Sequence, residues 1–249
     1  MTHTFEIHSL RCRFAAAPLR DWSPNTLRGA FGAALKRVDG GAYERYFAPR
    51  TGPGGGPSGF RDPPRPFVLR AGAALQLGIN LFDTRADAVA LFTRVMTELG
   101  GIESRMGGER IFISLAPLER PVRRLRVHFV TPMELKGAER PEFGTLLARI
   151  RDRVSTLRAL YGSGPLVMDF RAFGQRASQV RMTRCEIDFV EGSRVSRNTG
   201  QRHSLSGFTG IAEYEGDLAE FTPFLEAARW TGAGRQTVWG KGEISIEEI

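Results

Sequence analysis

The chain is poor in cysteine, with Cys12 and Cys185 far apart in 249 residues. Two thiols exclude a disulfide-stapled fold, and neither belongs to a metal-ligand spacing, so a reducing, cytoplasmic setting is the simplest expectation. Histidine is scarce as well, with His3, His8, His128 and His203 the full set. No cluster of His/Cys or Asp/Glu marks a metal centre, so neither a metal nor any other cofactor is expected. No apolar run approaches the ~20 residues that a membrane span needs. The opening MTHTFEIHSL lacks the basic-then-apolar pattern of a signal peptide. Of 35 basic residues only Lys36, Lys136 and Lys241 are lysine.

What remains is an ordinary globular composition, 41% hydrophobic, long enough for one large domain or two modest ones. The net charge is +8 and the excess is carried by arginine. A planar guanidinium suits phosphate and stacks on bases, so the bias favours a nucleic acid as partner, although a GC-rich genome also raises arginine.

Periodicity divides the chain into two runs of the same element order. Residues 5–14 (FEIHSLRCRF) alternate, with Phe5, Ile7, Ser9, Arg11 and Arg13 on one parity and His8, Leu10, Cys12 and Phe14 on the other, which predicts a strand. Ser23-Pro24 opens a helix over 24–37 with Leu27, Phe31, Ala34, Leu35 and Val38 on one stripe, and Gly40-Gly41 is expected to end it. A Gly/Pro-rich loop over 49–66 follows. Strands are expected at 67–69 and 75–82, a helix at 85–99 and a strand at 110–115. The order then repeats: a strand at 125–130, a long helix carrying Phe143, Leu147, Ile150, Val154, Leu157 and Leu160, and strands at 182–190 and 205–214. A helix at 218–230 with Pro223 in or near its first turn and a strand at 237–246 close the set. Two βαββαβ units predict an α+β protein of two tandem ferredoxin-like domains with antiparallel sheets, residues 1–119 and 120–249.

The last forty residues carry the densest pattern. They open on GFTG at 207–210 and close on GAGRQTVWGKG at 232–242. Glycines let a backbone take positive φ and let another chain come close. With Arg235, Gln236 and Lys241 between them, the approaching group is expected to be a polyanion; a tight turn with a strand bulge is the plainer alternative.

This terminus resembles the Gly-rich signature of RAMP-superfamily proteins of CRISPR systems, and of the repeat-RNA processing endoribonuclease in particular. Leu27-Arg28-Gly29-Ala30-Phe31-Gly32 resembles that family's first-helix motif. Arg65-Pro66-Phe67-Val68-Leu69 and residues 126–132 (RVHFVTP) resemble its first-domain hairpin and the start of its second domain. The resemblance implies metal-independent cleavage of precursor CRISPR RNA within the repeat, leaving 2′,3′-cyclic phosphate and 5′-hydroxyl ends. The implied partners are a hairpin or otherwise structured repeat RNA, subunits of an effector complex and a second copy of the chain. A non-catalytic RAMP subunit that binds guide RNA is the alternative.

Such chemistry needs a base for the 2′-hydroxyl, an acid for the leaving oxygen and cations for the transition state. The family places a histidine in or just after the first helix, and this chain has none between His8 and His128. His8 and His128 fall within strands and His3 near the terminus. His203 instead sits in a basic hairpin loop with Arg194, Arg197 and Arg202, where it could move protons beside a phosphate or simply be exposed. Family analogy makes Lys36 and Tyr43, with Tyr46, supporting groups; helix-end charge and packing are their ordinary roles. RNA contacts are expected from Arg194, Arg197, Arg202, Arg235, Gln236 and Lys241, from the backbone at Gly232 and Gly234, and from Arg28. Arg11 could also face the groove between the halves.

Overall fold

The computed structural model describes residues 3–14, 24–47, 63–72, 76–100, 105–195 and 202–249. It contains two four-stranded antiparallel sheets and a two-stranded ribbon. The first sheet holds β1 (Thr4–Arg13), β2 (Phe67–Ala71), β3 (Gln76–Leu81) and β4 (Arg105–Ser114), in the order β2-β3-β1-β4. The second holds β5 (Arg124–Met133), β6 (Arg181–Val190), β9 (Gly207–Glu215) and β10 (Ile244–Glu248), in the order β10-β5-β9-β6. Both have the strand order of a ferredoxin-like βαββαβ unit, as the element order predicts. The ribbon, β7 (Ser193–Val195) with β8 (Arg202–Ser204), projects between β6 and β9. Among the described residues no helix is long and apolar enough to cross a membrane.

The imperfect alternation of β1 has a tertiary cause. Leu10, Cys12 and Phe14 pack under α1 (Pro24–Val38) and α3 (Ala86–Gly100) with Leu27, Phe31, Phe92 and Val95. Phe5 and Ile7, on the opposite parity, join the core of the second half together with Val68, Phe82 and Leu115. The first sheet is therefore buried on both faces at one end. That is why Phe67-Val68-Leu69 is apolar without alternation.

Several elements depart from the sequence expectation. The first helix ends at Val38, just ahead of Gly40-Gly41 as expected, but the chain turns helical again at once. The Asp39 carboxylate accepts the Ala42 N–H at 2.8 Å, capping a further turn, α2 (Gly40–Ala42), that runs into a π-helical turn, Tyr43–Phe47. Phe47 then lies across α1 so closely that a Cβ on Gly32 would stand 2.6 Å from its ring. β4 begins five residues early because it pairs with the whole of β1, from Thr4↔Ser114 to Arg13↔Arg105. In the second half, α4 (Phe143–Tyr161) is followed by an unexpected α5 (Phe170–Ala177), capped by Asp169, whose carboxylate accepts from Arg171 N and Ala172 N. Phe173 of α5 packs edge-on against Phe221. In α6 (Thr222–Thr231) Pro223 does fall in the first turn. The closing strand is shorter than expected. Residues Thr237–Trp239 form a 3-10 turn flanked by left-handed Gln236 (φ 61) and Gly240 (φ 80), and only Ile244–Glu248 is extended.

Candidate nucleic-acid interface

Where β1, β2 and β3 run beyond the buried end of the first sheet, their second face opens onto a groove of about 820 Å³ between the halves. Arg11, Arg13 and Arg70 line it from the first sheet, and Arg229 and Trp230 line it from the end of α6. Asn80 holds the seam by donating from Nδ2 to the Trp230 carbonyl at 2.9 Å. Arg11 and Arg229 are paired with Glu109 and Glu226 at exposed positions, where such pairs are weak and exchange readily for another anion. Four guanidinium groups in one groove make a positive field suited to phosphates.

The glycine-rich terminus does something other than what its composition suggests. Gly232, Gly234, Gly240 and Gly242 all take positive φ. What comes close to them is the protein itself. A Cβ on Gly234 would lie 2.5 Å from the Glu134 carbonyl oxygen, and one on Gly242 would lie 1.9 Å from that of Ala233. The GFTG glycines behave alike: Gly207 abuts Met133 O and Gly210 abuts Glu186 O, where β5 is irregular between Phe129 and Met133. At Gly232 and Gly234 the space beside Cα is thus filled by Thr237, Gly242 and Glu134.

Lys241 requires a similar correction. It is buried, and its Nζ donates to Ser206 O at 2.7 Å, Gln236 Oε1 at 3.0 Å and Glu134 Oε2 at 3.2 Å. Burial pushes its pKa down, and the Glu134 carboxylate only partly restores it. The ammonium ties the loop to β5 and to the base of the ribbon, where Ser206 Oγ meets Gly192 N. Lys241→Met should lower unfolding free energy by about 3 kcal/mol in urea titrations, because Glu134 and Gln236 lose a buried donor. The exposed Lys136→Met should change it by less than about 0.5 kcal/mol. Arg235 stays at the surface, paired with Glu134 at 2.7 Å, and Gln236 holds its strained backbone through Lys241.

The 3-10 turn that follows packs on α1 and β2. There the Arg28 guanidinium is sandwiched, 4.4 Å from the Phe47 ring centroid and 5.0 Å from that of Trp239. Arg28 is therefore an interdomain clamp, and the first-helix motif and the Gly-rich terminus meet through it. Further along α1, the exposed Lys36 Nζ lies 5.9 Å from the centre of the Tyr43 ring, itself stacked on Phe47 at 5.1 Å. Tyr46 is buried and donates to Asp83 Oδ2 at 2.9 Å. Burial, then that hydrogen bond to a carboxylate, raises its pKa to about 12, so it positions rather than titrates. Arg85 grips the same carboxylate through Nε at 2.8 Å and a terminal nitrogen at 2.7 Å.

The histidines are dispersed. His8 lies on β1 opposite Arg110, and burial followed by that charge lowers its pKa. His128 faces outward beside Glu247 at 3.7 Å. On the ribbon the backbone pairs Arg194 with His203 and Val195 with Arg202. Arg197 lies outside the described residues. Lys36 and Tyr43 come together, and Arg194 and His203 are backbone partners on the ribbon.

Residues 127–244 match the family model for the CRISPR-associated endoribonuclease Cas6. The second half of the chain thus resembles Cas6. Thermus thermophilus Cas6 has a similar structure, with a TM-score of 0.60 at 16% identity over 98% of this chain and 99% of that one. A Cas6 product complex gives 0.59 at 18% identity over 97% and 99%, and a Cas6 substrate mimic complex gives 0.53 at 18% over 98% and 100%. At such identities the likeness is one of fold. None of the curated proteins matches.

Sequence reasoning missed Arg13, Arg70, Arg229 and Trp230 as groove residues. Arg13 had a signal, its shared parity with Arg11 on β1; the others lie on β2 and α6 and meet it only through packing.

Proposed function

We propose that the protein is a repeat-RNA endoribonuclease that cleaves precursor CRISPR RNA without a metal ion. One observation carries the reading: the Cas6-matching half docks its Gly-rich loop, through Trp239 on Arg28, onto the first helix and onto the strand that lines the four-arginine groove. Solved Cas6 relatives described as product and substrate mimic complexes support RNA as the ligand. Arg11, Arg13 and Arg229 take backbone phosphates in the groove, and Arg194, Arg197, Arg202 and Arg235 extend the contacts over the ribbon and the loop.

In the reaction the 2′-oxygen loses its proton to a base and bonds to the adjacent phosphorus. The bond to the 5′-oxygen breaks and that oxygen gains a proton, leaving a 2′,3′-cyclic phosphate and a 5′-hydroxyl. His203 is the general acid/base, with Arg194 opposite it as cation; Lys36 steadies the phosphorane charge and Tyr43 orients the RNA. The absence of histidine from residues 24–47 favours a second reading, a non-catalytic RAMP subunit that holds guide RNA in an effector complex.

Cognate repeat RNA incubated with the protein in EDTA should be cut at an undiminished rate. His203→Ala should slow single-turnover cleavage about 100-fold while affinity changes little. A metal requirement would sink the mechanism, full activity in the variant would remove His203 from it, and tight binding without cleavage would establish the scaffold reading.

A further inference from the structure

Two half-buried arginines at the seam have enclosed donors that meet no acceptor among the described residues. Both terminal nitrogens of Arg70 on β2, and one of Arg153 on α4, are shielded from solvent and lack a hydrogen-bond partner there. Arg153 donates from Nε to the Thr231 carbonyl at 2.9 Å, at the negative end of α6. Arg70 faces Glu243 across 3.7 Å, too long for a hydrogen bond. Burial lowers the pKa of both, and the Arg70 charge lowers Arg153 further, to about 9; an arginine side chain is nonetheless a cation at neutral pH. Two half-buried cations beside one loosely held carboxylate are costly, and orphaned buried donors of this kind call for a ligand. Arg70 and Glu243 both line the groove.

We propose that Arg70, backed by Arg153, is an oxyanion site in the floor of the groove that takes one backbone phosphate of bound RNA, with Glu243 standing in its place in the free protein. A phosphate can accept two parallel N–H bonds from the guanidinium fork and offset the second cation, which a carboxylate at 3.7 Å does not. The choice of RNA as the source of the phosphate rests on the function proposed above.

Inorganic phosphate is the first probe, compared with chloride at equal ionic strength. The thermal midpoint of the wild-type protein should rise by about 4 °C when phosphate is at about ten times its Kd. Arg70→Met should unfold no lower than wild type in chloride, since it removes an uncompensated charge, and should lose the phosphate response. Glu243→Gln, at a half-exposed position, should bind phosphate about 5-fold more tightly and keeps the idea testable should Arg70→Met not fold. No phosphate-specific shift, or one unchanged in Glu243→Gln, overturns the site. For RNA, Arg70→Met should weaken binding about 10-fold and lower the salt slope by about one. Unchanged RNA affinity beside a retained wild-type phosphate shift overturns the assignment to RNA. A wild-type protein that shifts with phosphate but binds no repeat RNA instead overturns the proposed function.

Discussion

Reversing the charge of Arg13 and Arg229 together is expected to weaken repeat-RNA binding about 1,000-fold at about 0.15 M salt. Each neutralised phosphate releases counterions worth about 5-fold in affinity at that ionic strength, and replacing the cation by a carboxylate adds repulsion of similar size. Two such sites multiply to roughly the stated factor, and the slope of log affinity against log salt should fall by about 1.8. The two residues come from opposite walls of the groove, β1 and α6, so a strand lying in it meets both. Arg94→Glu on α3, on the helix-covered side of the first sheet, is the control and should cost a few-fold at most. Filter binding across a salt series reads all three. Equal losses for the control and the groove pair would show that overall charge, rather than the groove, holds the RNA.

The largest expected effect on stability is that of Gly242→Ala. Gly242 has φ +70, and an added Cβ would lie 1.9 Å from the Ala233 carbonyl oxygen. That contact cannot relax cheaply, because Ala233 N donates to Gly242 O at 2.8 Å and Gly242 N donates to Pro132 O at 3.1 Å. Making room means parting the loop from β5. Left-handed strain of about 1 to 2 kcal/mol adds to the lost packing and hydrogen bonds, for a total of about 5 kcal/mol. Gly137→Ala isolates the strain alone, since Gly137 has φ +76 with nothing within 4 Å of the added Cβ; it should cost about 1 kcal/mol. Urea denaturation of both variants checks this. Similar losses at the two positions would mean that the close approach at Gly242 is not what selects glycine there.

Local periodicity was enough to order the elements. The stripe of Leu27, Phe31, Ala34 and Leu35, the parity of Leu10 and Cys12, and the run from Phe143 to Leu157 all point to their own core through short-range geometry. The repeated βαββαβ order, and with it the tandem ferredoxin-like fold, was therefore readable from the chain. So was the importance of its Gly-rich end, because positive φ leaves a mark in composition. α5 escaped notice because only Phe173 and Ala177 face inward along its eight residues.

Which surface presses on a glycine, and what lies opposite an arginine, are questions about residues far away in sequence. The terminal glycines looked like openings for a polyanion, yet Met133, Glu134 and Ala233 fill the space beside them. Lys241 looked like a phosphate contact, yet three acceptors from separate segments enclose it. Arg28 clamps the halves by stacking between rings from Phe47 and Trp239. Charge and periodicity mark which residues are basic and which face a strand presents. The meeting of Arg13, Arg70 and Arg229 in one groove follows from how one sheet and its helices pack against the other, and only the tertiary structure decides that.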